Sequence, residues 1–208
     1  MGIDLGLKDI AVTSDGDRLQ AGRFYRGLET RIAQAQRRSH RRQAKRLHRK
    51  AARRRADALH KFSRKIVNQY ETIFVGDVSS QKLVRTRMAK SVLDSGWSML
   101  KRMLQYKGEH AGRSVEVVSE RNTTRACSVC GALLGPKGTD MLAVRHWDCP
   151  ECGAGHDRDQ NASRNILYVG LRKQASVRGN ELWHDMTPVE PDRPVRVRYG
   201  WGACYATA

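Results

Sequence analysis

Two Cys-x-x-Cys pairs, Cys127/Cys130 and Cys149/Cys152, stand 18 residues apart. Each pair places two sulfurs on one tight turn. Two such turns can close a tetrahedral shell of four thiolates, which zinc takes at about 2.3 Å in structural sites. Two disulfides are the competing use of four cysteines, but the regular spacing favours a bound Zn2+. Gly131 and Gly153 each follow a second cysteine, where the knuckle backbone calls for positive φ. A ribbon over residues 121–155 buries too little apolar surface to fold alone, so the metal supplies folding energy.

The segment after the ribbon, His156-Asp157-Arg158-Asp159-Gln160-Asn161-Ala162-Ser163-Arg164-Asn165-Ile166-Leu167, reads as a helix start. Carboxylates are favoured at helix N-termini, so both aspartates can be caps. A further acid near the other end of the chain, Asp4, opens a second reading for one of them.

The net charge of +18 over 208 residues calls for a polyanionic partner, most often nucleic acid. A membrane surface is the alternative, but no apolar run approaches the roughly 18 residues of a spanning helix, and no signal peptide is present. The fifth cysteine, Cys204, falls in an irregular tail and reads as a free thiol, in keeping with a reducing cytoplasm.

In chain order, Met1–Gly6 and Ile10–Thr13 read as strands. Asp15-Gly16 is a turn signal before a third strand at Arg18-Leu19-Gln20. The first strand starts abruptly at Met1, so the natural domain is expected to begin upstream. Residues 24–70 read as a basic helical region that breaks near Ser39-His40. Between Arg31 and Lys65 it carries 15 Lys or Arg and one acid, Asp57. Its apolar stripe is Ile32, Leu47, Ala51, Ala58, Phe62 and Ile66. Charge this unbalanced predicts phosphate contacts, by Arg37, Arg38, Arg41, Arg42, Lys45, Arg46, Arg49 and Arg53. Thr72–Val78 reads as a buried strand. Met88 to His110 reads as one amphipathic helix, with Met88, Val92, Met99, Leu100, Met103 and Leu104 on its core face and Trp97 at the margin. Ser114–Glu120 reads as a further strand, and Gln160 to Gln174 as the last helix. From 176 to 208 the composition predicts a disordered tail. This order of elements is that of an RNase H-like α/β fold, a mixed sheet flanked by helices. Its core is expected over 1–120, with the ribbon inserted before a final helix over 156–175.

Gly2-Ile3-Asp4-Leu5-Gly6-Leu7, the ribbon, and the run from Asp157 to Leu167 together resemble the RuvC-like nuclease half of TnpB (OrfB) proteins of insertion sequences. These are relatives of type V CRISPR effectors. The resemblance covers residues 1 to 170. It implies Mg2+-dependent DNA cleavage directed by a guide RNA, at an acidic triad of a first-strand Asp, a Glu and a final Asp. By motif, Asp4 and Asp159 take the aspartate roles, with Asp157 passed over. The family's glutamate ends the fourth strand, where this chain has Gly76. Asp77 is adjacent, but successive strand residues face opposite sides. Glu120, at the end of the next strand, is the candidate replacement; Asp77, Glu116 or a defective site are the alternatives. The resemblance also implies an N-terminal part that grips RNA and DNA, which is expected to precede the residues of this sequence.

The resemblance further implies that three such carboxylates share two Mg2+ ions about 3.5–4 Å apart for phosphodiester hydrolysis. The competing class is a zinc-ribbon DNA- or RNA-binding regulator, or a truncated remnant, with a catalytically defective site. A ribosomal or RNA-chaperone zinc protein would explain the charge but not the paired acids. Oligomeric state is not legible.

Overall fold

The computed structural model describes residues 1–78, 88–137 and 143–177. A five-stranded mixed sheet in the order β3-β2-β1-β4-β5 forms the centre. The strands are β1 (Gly2–Asp4), β2 (Asp9–Thr13), β3 (Arg18–Gln20), β4 (Thr72–Gly76) and β5 (Ser114–Val118). β1 pairs antiparallel with β2 and parallel with β4, and β4 pairs parallel with β5. This is the RNase H-like α/β architecture expected from the sequence, with the four cysteines gathered in an inserted ribbon.

The sheet has two distinct faces, because residues alternate along each strand. Ile3, Ile73 and Val75 pack into the main core. There they meet Leu59, Phe62 and Ile66 of α2 (Arg41–Gln69) and Leu100, Met103 and Leu104 of α4 (Trp97–His110). Phe74 and Val118 point the other way, against Ile166 of α5 (Arg158–Val177). The sheet is therefore covered on both sides, and the even-numbered residues of β1 and β4 face α5.

The basic region does split where Ser39-His40 stands: α1 (Glu29–Arg37) ends and α2 begins at Arg41, with Ser39 at φ 57°. Its apolar stripe is carried by Ile32, Leu47, Ala51, Phe62 and Ile66; Ala58 is only half-buried and the fully buried Leu59 takes its place.

Three expectations are corrected. The stretch from Met88 to His110 is two helices, α3 (Ala89–Ser95) and α4, broken at Gly96, which takes a left-handed φ of 72°. The break turns Trp97 into the core, where its Nε1 donates to Gly6 O at 3.1 Å, and leaves Met88 exposed. The fifth strand stops at Val118, so Glu120 lies beyond it. The last helix runs from Arg158 to Val177, longer at both ends than the expected Gln160–Gln174. Ser176 and Val177 thus belong to a helix; residues 178–208 of the expected tail, with Cys204, lie outside the described residues. No helix among the described residues is long and apolar enough to cross a membrane.

Candidate metal and nucleic-acid sites

The four cysteine sulfurs lie within 4.8 Å of one another, and they are the one such group of three or more possible ligand atoms among the described residues. Cys127 Sγ is 3.7 Å from Cys152 Sγ, and Cys130 Sγ is 3.5 Å from Cys149 Sγ. A tetrahedron with 2.3 Å metal–sulfur bonds has edges of about 3.8 Å, so this donor set fits zinc. The two knuckles are built alike. Gly131 N donates to Cys127 O and Gly153 N to Cys149 O, and both glycines have the expected positive φ, 80° and 72°. The sequence reading missed His156. It is buried with Nε2 3.0 Å from Cys127 Sγ, close enough to donate to the thiolate and steady it from outside the shell. The buried site lowers its pKa, with Arg164 adding to the effect.

The acids gather elsewhere, at the edge where β1, β4 and β5 end. Ile3 pairs with Val75, so Asp4 comes beside Gly76; Gly76 pairs with Val118, and Glu120 follows two residues later on the same parity. All of these positions face α5, and Asp159 sits in the first turn of α5. Asp4 is buried. Burial, then the negative charges of Glu120 and Asp159, push its carboxyl well above the usual carboxylate range, against Arg158 and the Leu5 N–H. Burial likewise pushes Glu120 up to about 7, opposed by Lys101 and reinforced by Asp77. Among the described residues, the buried Glu120 Oε1 has no hydrogen-bond partner. The carboxylate oxygens are spread more widely than the ribbon sulfurs and form no group within 4.8 Å.

Gly76 explains how Glu120 gets there. A Cβ built on Gly76 would overlap Glu120 Oε1 and lie 2.8 Å from its Cγ and Cδ. The Glu120 carboxylate therefore fills the space into which a side chain at 76 would project. Asp77 faces the opposite side, largely exposed and paired with Lys101 Nζ at 3.1 Å. Glu116 is held on β5 by Gln174 Nε2 at 2.6 Å and by Lys173. Asp157 is the helix cap: its Oδ1 accepts from Gln160 N at 3.0 Å and pairs with Arg18. Although burial alone would raise its pKa, these two contacts hold Asp157 below the ordinary value.

The sequence reading also missed Arg145, just ahead of β6 (His146–Asp148) in the ribbon. Its Nη1 is 3.4 Å from Asp159 Oδ1. No local pattern could have shown this, since the contact depends on how the ribbon folds back. A fold-derived pH effect follows from Glu120. In the fold it keeps a proton between its ordinary value, 4.5, and about 7, where the unfolded chain has released it. The folded state binds more protons across that window, so stability falls as pH rises through it. In zinc-loaded, magnesium-free buffer, the thermal midpoint of the unsubstituted chain should therefore fall relative to that of Glu120→Gln between pH 5 and 7, then run parallel to it. A constant difference across that range would contradict the assignment.

The eight cations picked from the sequence, Arg37, Arg38, Arg41, Arg42, Lys45, Arg46, Arg49 and Arg53, are all exposed. None has an acid within 4.0 Å among the described residues, whereas Asp57 and Glu29 are paired with Lys61 and with Arg26 and Lys90. Arg41, Lys45, Arg49 and Arg53 repeat every four residues along α2, about 6 Å apart along its axis.

Two family models match the chain. The one described as a probable transposase, OrfB_IS605, covers residues 1–87, and the Cas12f1-like TNB domain covers residues 97–166. A Streptomyces pristinaespiralis protein named "Putative RNA-guided DNA endonuclease" is 33% identical over 189 residues, 84% of this chain and 46% of the relative. TnpB-like protein L79 of Acanthamoeba polyphaga mimivirus is 28% identical over 132 residues, 60% of this chain and 24% of the relative. A solved Cas12f1-sgRNA-target DNA complex matches the fold with a TM-score of 0.56 at 20% identity, over 79% of this chain and 48% of that one. The chain thus spans at most about half the length of these proteins.

Proposed function

The chain belongs to the TnpB (OrfB) family, and on that premise we propose that Asp4, Glu120 and Asp159 form the Mg2+-dependent cleavage centre of a DNA endonuclease. The observation that carries the reading is the gathering of three sequence-distant acids at one sheet edge, with Glu120 Oε1 buried in the space Gly76 leaves open and without a hydrogen-bond partner among the described residues. Asp4 and Glu120, buried carboxyls whose pKa values burial raises, with Asp159 acting on Asp4 through its charge, suit a hard divalent cation with oxygen ligands. When bound, a pair of Mg2+ ions supplies an activated water and neutralises the charge that develops on the leaving oxygen.

The chain's own residues do the rest. Asp4, fixed at the end of β1, and Glu120, reaching over from beyond β5, present carboxylates to the same face. Asp159 closes the set from α5, and its neighbour Arg145 offers a positive charge toward a bound phosphate. The ribbon's role is structural, with Zn2+ held by Cys127, Cys130, Cys149 and Cys152. Exposed cations along α1 and α2 hold the nucleic-acid backbone. Their contacts give affinity without sequence readout, and weaken with salt in proportion to the phosphates neutralised. By the names of its relatives, the partners would be a guide RNA and a DNA target.

The test is a cleavage assay on labelled DNA with Mg2+ and the RNA that copurifies with the chain. Cutting should leave 5′-phosphate and 3′-hydroxyl ends. It should vanish in Asp4→Asn and Asp159→Asn and persist in Asp77→Asn. A chain that binds nucleic acid yet shows no Mg2+-dependent cutting would favour the regulator.

A further inference from the structure

We propose that Asn161 and Asn165 are positioning residues: they lock the segment carrying Glu120 onto the helix carrying Asp159, so that the zinc ribbon braces the acidic centre. The proposal rests on reading Asp4, Glu120 and Asp159 as divalent-ion ligands.

Both amides are buried, Asn161 at 1% exposure and Asn165 at 8%. They stand four residues apart on α5, hence on one face. Asn165 Nδ2 donates to Thr123 O at 2.8 Å and to Ala126 O at 2.7 Å. Asn161 Nδ2 donates to the same two oxygens, at 3.4 and 2.8 Å. Two amide groups thus bring four N–H donors to two carbonyls, whose four lone pairs can receive all of them. Asn161 Oδ1 also accepts from Ser128 N at 2.9 Å.

The gripped segment joins both metal centres. At its start, Thr123 N and Oγ1 donate back to Glu120 O at 3.2 and 2.9 Å. At its end, Ser128 directly follows the zinc ligand Cys127. Asp159 lies two residues before Asn161. Residues 120–128 therefore form one strap, with an acid at one end, a zinc knuckle at the other and the asparagines between. Glu120 lies outside any strand, so the sheet ladder alone does not fix its backbone, and the strap supplies that restraint. Aspartate could not replace either residue, because its oxygens would face the carbonyls with no proton to share.

Outer partners that orient ligands typically change metal affinity by roughly 10–100-fold when removed. The experiment measures Mn2+ affinity by electron paramagnetic resonance of the full chain, with zinc content assayed in parallel. Asn165→Ala should weaken binding at the Asp4→Asn-sensitive site by that factor at unchanged zinc content. Ile166→Val, one residue on and in the core behind the sheet, destabilises the same helix without touching the strap and should leave the affinity alone. Unchanged affinity in Asn165→Ala, or equal weakening in Ile166→Val, overturns the proposal. If Asp4→Asn itself changes nothing in the unsubstituted chain, the reading of the acids fails and the proposal with it.

Discussion

Glu120→Ala should lower Mg2+-dependent cleavage by on the order of 10⁴–10⁶-fold, the scale expected when one member of a group acting as a unit is removed. Gly76→Glu in the same chain should then recover a large part of the rate. The reasoning is steric as much as chemical. Positions 4, 76 and 118 lie side by side on adjacent strands, and a carboxylate from either 76 or 120 enters the same volume. The two cannot coexist, since a Cβ at 76 collides with Glu120. Gly76→Glu alone should therefore lose stability, by about 1–3 kcal/mol from overpacking, and lose activity as well. Single-turnover rates and thermal midpoints of the two single variants and the double variant check this. Cleavage that survives Glu120→Ala would sink the relocated-glutamate reading.

Zinc removal should have the second largest effect. Among the described residues of the ribbon, the two knuckles and the two-stranded pair of β6 with β7 (Gly155–Asp157) have little core of their own. Structural zinc contributes about 10–16 kcal/mol of apparent binding free energy in small zinc-dependent folds. Chelation, or Cys149→Ser, should strip amide protection from Cys127–Ala132 and Cys149–Ala154. The amides of β1 and β4, buried in the main core, should keep theirs. Hydrogen exchange read by mass spectrometry distinguishes the two regions. Protection that persists in the knuckles after the metal is gone would refute a structural zinc site.

Which features could be read from the sequence follows from how local they are. The knuckles were legible because four residues dictate a turn and its glycine. The fold class was legible from the order of strands and helices, and the alternation of strand side chains sufficed to set Asp77 aside, with Glu120, at the end of the next strand, left as the candidate. The split of the basic region at Ser39 was visible as a gap in the apolar stripe. The break at Gly96 was not, because both helices carry apolar residues in compatible phase, and Trp97 was misplaced as a consequence. Arg145 and His156 owe their places to the way the ribbon folds back, which spacing does not encode. Asn161 and Asn165 did leave a trace: two amides four residues apart, each followed by an apolar residue of the core side, Ala162 and Ile166, require partners once buried, and the carbonyls of Thr123 and Ala126 are those partners.

The account stands on acids from three separate elements sharing divalent cations. Crystals of the chain soaked in Mn2+ and measured at the manganese edge address this directly. The expected result is anomalous density between the Asp4, Glu120 and Asp159 carboxylates, lost in Asp4→Asn crystals. Density that appears only elsewhere, or a Glu120 side chain turned away from Asp4, would contradict it.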